Sequence, residues 1–375
     1  MHPRSPHEGH RVATPLELLF DLVFVVAVGR AAAGLHHAIA AGHALEGLMG
    51  YGMVFFAIWW AWMNFTWFAS AYDCDDVPYR LLVFVQLTGA LVMAAGITVM
   101  FEERHPTTAV VAGYVLMRIS LVVQWLRAAA VDPVRRRTAL RYAAGIAILQ
   151  VAWIALLFIP VLWRSGFVVL MLCEVAVPVW AERAEMTPWH PHHIAERYGL
   201  LTLIVLGESI LSATGATQDA LESGQSVRSL LPLITGGLLT VFSLWWVYFD
   251  RPAHDLLTSL RKAIFWGYGH YVIFAAAAAI GAGLAVAADQ VAGHTAISRA
   301  GATWAVAIPA VIYLDCLWII HYRPVYRRTT WLAPAASIVM LAAPFTSQGV
   351  LVIGITFAVL VAIKVATRSV STDRP

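Results

Sequence analysis

The sequence predicts an all-α integral membrane protein of about twelve transmembrane helices, arranged as two six-helix repeats with both termini in the cytoplasm. Three observations predict it. Of 375 residues, 60% are hydrophobic and 13% charged, where a soluble domain is about half apolar and a quarter charged. Apolar segments of the length needed to cross about 30 Å of hydrocarbon recur along the whole chain. The basic residues, nearly all arginine, fall unevenly between the loops that join those segments.

Residues 1–16 read as a polar cytoplasmic tail. Thr14-Pro15-Leu16-Glu17 is a helix start, with Thr at the N-cap, Pro at the first helical position and Glu reaching back from the third. Arg4 and Arg11 precede the first apolar segment as in a signal peptide, but Glu17, Asp21 and Arg30 interrupt it, so it is expected to be retained. Six spans near 17–40, 48–70, 80–101, 107–127, 142–162 and 166–182 make the first half, 17–182. A cytoplasmic linker, 183–197, follows. Six more spans near 198–217, 230–249, 263–287, 300–320, 331–345 and 349–368 make the second half, 198–368, before a short tail, 369–375. Between the last two spans, Pro344 and Thr346-Ser347-Gln348 leave little room for a loop.

With the N-terminus inside, 19 of the 25 basic residues fall on the inner side, including Arg135, Arg136, Arg137, Arg141, Arg327 and Arg328. Only Arg104, Arg164, Arg228 and Arg299 fall outside, and Arg30 and Arg118 lie within spans. This is the asymmetry of the positive-inside rule. Duplication shows in Phe56-Ala57-Ile58-Trp59-Trp60 of the second span against Phe242-Ser243-Leu244-Trp245-Trp246 of the eighth. The first and seventh spans both open on a proline followed by an acidic residue, Pro15 and Glu17 against Pro191 and Glu196. An even number of spans per half gives parallel repeats, as in one class of transporter. The competing explanation is that paired tryptophans sit in an interfacial aromatic belt.

Leu16-Glu17-Leu18-Leu19-Phe20-Asp21-Leu22-Val23-Phe24 resembles the opening motif of the bacterial low temperature requirement A (LtrA) family. Glu196-Arg197-Tyr198-Gly199-Leu200, with Leu206-Gly207-Glu208-Ser209 after it and His193 before it, resembles that family's central motif. The resemblance covers most of the chain and implies a multi-pass protein of the bacterial inner membrane, in a family named for a growth phenotype in the cold. It implies no biochemical activity.

The charged residues inside the spans are the candidates for chemistry, because charge in hydrocarbon is costly and faces a bundle interior or a watery cavity. Arg197, Leu201, Ile204 and Glu208 share one helix face, with Glu208 near the middle of the span. Glu208 is therefore the leading candidate for a proton or cation acceptor. Arg197, Glu196 and His193 would form a cytoplasmic mouth, faced by Glu17 and Asp21, which are four residues apart on the first span. Arg30 points away from Asp21 and needs a partner from another span, for which Glu174 and Glu208 are available. Arg118 and Asp315, at matching positions of the two repeats, are candidates for a structural ion pair.

His192, His193 and Glu196 have metal-binding side chains, but Pro191 between histidines suits a helix start, so no metal is expected. Asp73, Asp75 and Asp76 form a small acidic loop. Cys74, Cys173 and Cys316 are too dispersed for a disulfide framework. No pair of glycines has the GxxxG spacing, although the small-residue run 275–283 predicts close helix packing.

The expected function is a transporter or channel-like protein for a small solute or cation, using a buried carboxylate and no cofactor, and not an enzyme. Its partners would be membrane lipid and that solute. Nucleic acid is not expected, and homo-oligomers are compatible with the composition. The alternatives are a membrane-embedded enzyme built on the His/Glu cluster, and a non-catalytic structural or stress-adaptation protein.

Overall fold

The computed structural model describes residues 3–5, 12–103, 107–323 and 331–372. Arg11, Arg104, Arg327, Arg328 and Arg374, counted above, lie outside these. The described residues form helices and no strands: α1 (Pro15–Ala40), α2 (Ala44–Tyr72), α3 (Val77–Glu103), α4 (Thr108–Val131), α5 (Arg136–Leu157) and α6 (Trp163–Ala181). They continue with α7 (Pro191–Glu222), α8 (Val227–Phe249), α9 (Leu260–Ala292), α10 (Arg299–Leu317), α11 (Leu332–Ala342) and α12 (Gly349–Thr372). Among the described residues, eleven helices are long and apolar enough to cross a membrane. The exception is α11, which with the 3-10 turn Ala343–Phe345 covers only Leu332–Phe345. At 1.5 Å per residue that segment spans roughly 21 Å, short of a bilayer core.

The start of α1 is the one written in the sequence. Thr14 N donates to Glu17 Oε2 at 2.8 Å, and Glu17 N donates to Thr14 Oγ1 at 3.3 Å. This is a reciprocal capping box. The seventh helix starts at Pro191, so His192, His193, Glu196 and Arg197 occupy its first two turns.

The chain divides into two compact units. One comprises residues 1–31 and 52–200, the other 32–51 and 201–375, so α1, α2 and α7 contribute to both. In the first unit α3 packs on α4, α4 on α5 and α5 on α6. Its core is aromatic, with Phe20, Phe24, Phe65, Trp60, Trp62 and Tyr198 fully buried. Where α3 crosses α4, a Cβ on Gly89 would lie 2.7 Å from the Gly113 carbonyl oxygen, so only hydrogen fits. One glycine per helix thus achieves what a GxxxG pair would.

In the second unit α9 packs chiefly on α10, and α8 on α12. Residues Ala276 to Ala288 of α9 are buried without interruption. The close packing expected of 275–283 is realised at Gly281, where a Cβ would meet Ser209 Cα at 2.7 Å.

Candidate functional site

Glu17 and Asp21 are one helical turn apart on α1, and His193 and Arg197 one turn apart on α7. These four side chains meet in the first unit. Arg197 Nη1 lies 2.9 Å from Glu17 Oε1, Arg197 Nε donates to Asp21 Oδ2 at 3.2 Å, and Nη2 donates to Asp21 Oδ1. His193 Nε2 lies 3.0 Å from Glu17 Oε1. Trp62 Nε1 on α2 donates to Asp21 Oδ1 at 2.7 Å, and Tyr198 packs edge-on against the Trp62 ring.

Glu17, Asp21, His193 and Arg197 are all 0% exposed. The fork of a guanidinium suits this task, since one planar group can serve two carboxylates at once. The mouth expected from the sequence is therefore a closed ion cluster at its base, with no face of these four groups left to solvent.

A second buried centre lies in the same unit, around Glu174 of α6. Its Oε2 accepts from Arg118 Nη2 at 2.7 Å and from Trp60 Nε1 at 2.9 Å. Its Oε1 accepts from Tyr114 OH at 3.0 Å, Gln150 Nε2 at 3.3 Å and Trp153 Nε1 at 3.3 Å. Five donors from α2, α4 and α5 thus converge on one carboxylate of α6.

This corrects the expected pairing of Arg118 with Asp315. Arg118 is matched within its own unit by Glu174, while Asp315 Oδ1 accepts from Ser337 Oγ at 2.8 Å in the other. Positions that match in the expected repeat did not dictate the partner; α4 and α6 belong to one unit, and there Glu174 is within reach.

The remaining candidates are placed differently. Glu208 is half-buried on α7 and has no hydrogen-bond or ion-pair partner among the described residues. Arg30 is exposed on α1, and no described residue pairs with it, neither Glu174 nor Glu208. Glu196 is half-buried beside Arg197 in sequence. Among the described residues no three His, Cys, Asp or Glu side chains are gathered to hold a metal ion, and His193 is turned toward Glu17. The group His192, His193 and Glu196 therefore gains no support as a metal site. The acidic loop is neutralised instead of open: Asp73 faces Arg4 at 3.8 Å, Asp75 faces Arg80 at 2.6 Å and Asp76 faces Arg127 at 2.6 Å. The hydrogen bond from Arg80 holds Asp75 below the usual aspartate range. Burial pushes Asp76 up, but the Tyr79 N–H and Arg127 outweigh it and hold it low as well. The three cysteines are free.

Sequence reasoning missed several polar groups. Trp60 stands out in the sequence only as part of a tryptophan pair, and Trp153 and Tyr114 do not stand out at all. Gln150, a lone amide in an apolar run, was a readable signal. In the second unit His36 Nε2 pairs with Asp289 Oδ2 at 2.7 Å. There too a buried hydrogen-bonded group joins Tyr248, His270, Trp266 and His321. Tyr248 OH lies 3.0 Å from His270 Nε2, and Trp266 Nε1 donates to His321 Nε2 at 2.9 Å.

Known proteins place these residues in a wider context. The family model described as Bacterial low temperature requirement A protein (LtrA) matches residues 12–367. A protein of Rhizobium meliloti (strain 1021), Uncharacterized protein RA0937, is 28% identical over 275 residues, which is 68% of this chain and 65% of that relative. The match thus spans just under two thirds of the relative's length. Both segments that resemble the family motifs lie inside the matched range, and it is their charged residues that meet in the Glu17–Asp21–His193–Arg197 cluster.

Proposed function

We propose that this chain, which belongs to the bacterial low temperature requirement A family, moves a small solute or cation across the bacterial cytoplasmic membrane by means of buried carboxylates. The observation that carries the reading is the α1–α7 cluster. It holds two carboxylates and one guanidinium inside helices apolar enough to cross a membrane. With His193 neutral the cluster has a formal charge of −1, and one proton on the imidazole brings it to zero. Such a group is suited to taking up and releasing a proton, because uncompensated charge shut away from solvent is expensive. Glu208 adds a third carboxylate, with no partner among the described residues.

Two six-helix repeats, with both termini inside, are part of this proposal. Support comes from Pro15, Glu17 and Asp21, which have the same spacing as Pro191, His193 and Arg197. The third helix of each half also packs chiefly on the fourth, α3 on α4 and α9 on α10. No catalytic turnover is proposed.

One observation favours a second reading, a structural lock without transport. Glu17 is held on both oxygens: Arg197 and His193 lie within 3.0 Å of Oε1, and the Thr14 amide and hydroxyl donate to Oε2. Flux in proteoliposomes separates the two. An imposed potassium or sodium gradient supplies the drive and an internal pH-sensitive dye reports. Wild type is expected to give a signal that Glu208→Gln abolishes while its elution profile and melting curve stay those of wild type. Because Glu208 holds no partner among the described residues, its loss tests function and not folding. No signal from wild type under either gradient would contradict transport and leave the lock.

A further inference from the structure

Arg118 has more donors than the protein uses. Its side chain is 1% exposed, and Nη2 is spent on Glu174. Nε and Nη1 are buried with no acceptor among the described residues, and Gln150 Oε1, on the same centre, is buried with no donor. Glu174 cannot supply the missing acceptors, since its two oxygens already take five hydrogen bonds. A buried polar atom left without a partner is costly, and more so on a charged group. Three such atoms around one carboxylate mark a place where something else binds.

Geometry and charge limit what it is. Nε–H and the Nη1 hydrogens leave the guanidinium plane on different edges, so one bidentate oxyanion cannot take both. Arg118 and Glu174 cancel, so an anion would leave a net buried charge, which is strongly unfavourable. Uncharged oxygen acceptors, one to an edge, meet both conditions, and water can in addition donate to Gln150 Oε1, which a carbonyl cannot. We propose that the Arg118–Glu174–Gln150 centre binds such an acceptor, supplied by water or by the carbonyl of a lipid. The lipid source has an apolar surface close by. An apolar crevice in the same unit, lined among others by Phe56, Met100, Trp163 and Phe167, shares Tyr114 and Trp153 with the centre.

The proposal stands apart from the transport reading and is tested without flux. Wild-type protein in lipid nanodiscs is exposed to X-ray-generated hydroxyl radicals, which mark side chains beside bound water. Tyr114 and Trp153 should be modified severalfold faster than Phe20 and Phe65, which are also buried in the same unit. In the second arm, native mass spectrometry after detergent exchange looks for one retained lipid per chain. Arg118→Lys keeps a cation for Glu174 but removes the two unpaired nitrogens, so whichever signal wild type gives should be lost. Labelling alone assigns water, and a retained lipid assigns the carbonyl. Neither signal in wild type, or one that survives Arg118→Lys unchanged, overturns the proposal.

Discussion

Replacing Arg197 by methionine should cost about 3–5 kcal/mol of stability, the range for removing one partner of a buried ion pair. The reason is the company Arg197 keeps. Its three nitrogens contact Glu17 and Asp21, and all three residues are buried. Methionine fills a similar volume but leaves two carboxylates in the core, with His193 and Trp62 as their remaining side-chain donors from α7 and α2. A whole domain is stable by only about 5–15 kcal/mol. Arg197→Met should therefore accumulate poorly and elute as aggregate in fluorescence-detected size exclusion. Arg197→Lys should fall between, because a compact ammonium cannot hold both carboxylates in the way a planar fork does. Equal behaviour of the lysine variant and wild type would show that charge alone matters at this position.

The second large effect is an asymmetry at the other centre. Glu174→Leu should be more damaging than Arg118→Met. Without Glu174, Arg118 is a buried cation without a counter-charge, and a guanidinium cannot shed its proton. Trp60, Tyr114, Gln150 and Trp153 lose an acceptor at the same time, each at a cost of about 1–3 kcal/mol. Without Arg118, Glu174 keeps four neutral donors, and a carboxyl can become neutral by taking a proton. The double change Arg118→Met with Glu174→Leu should recover only part of the loss, since four neutral donors still lack their acceptor. Thermal melts of the three variants in one detergent give the ranking. Full recovery in the double variant would mean that the ion pair is the whole of this centre.

The parts of this architecture that were legible in the sequence are those governed by spacing within one helix. The Thr14–Glu17 capping box, the common face of Glu17 and Asp21, and that of His193 and Arg197 all follow from helical periodicity. So did the idea that the first pair faces the second, because two acids and two bases at the same interval are complementary. What periodicity cannot give is which helices pack together. Glu174 and Arg118 were both visible as charges in apolar runs, yet their pairing depends on how α4, α5 and α6 meet. Trp60 and Trp153 carried no signal beyond hydrophobicity, since an indole N–H becomes visible as a donor only once its acceptor is known. Gln150 did carry one, as an amide in an otherwise apolar helix. Glu208 was conspicuous for the same reason, but prominence in sequence did not bring it a partner among the described residues. The short α11 reflects Pro344 and the turn after it, a break the sequence announced.

The central claim is that the two motif segments, far apart in the chain, are energetically one site. The most direct measurement is a double-mutant cycle on Asp21 and Arg197, with Asp21→Leu, Arg197→Met and the double variant compared by reversible unfolding in mixed micelles. The cluster predicts a coupling of about 1–3 kcal/mol, with the double variant more stable than the sum of the single losses implies. Additive losses, to within about 0.5 kcal/mol, would contradict it, because residues that do not share a site add independently.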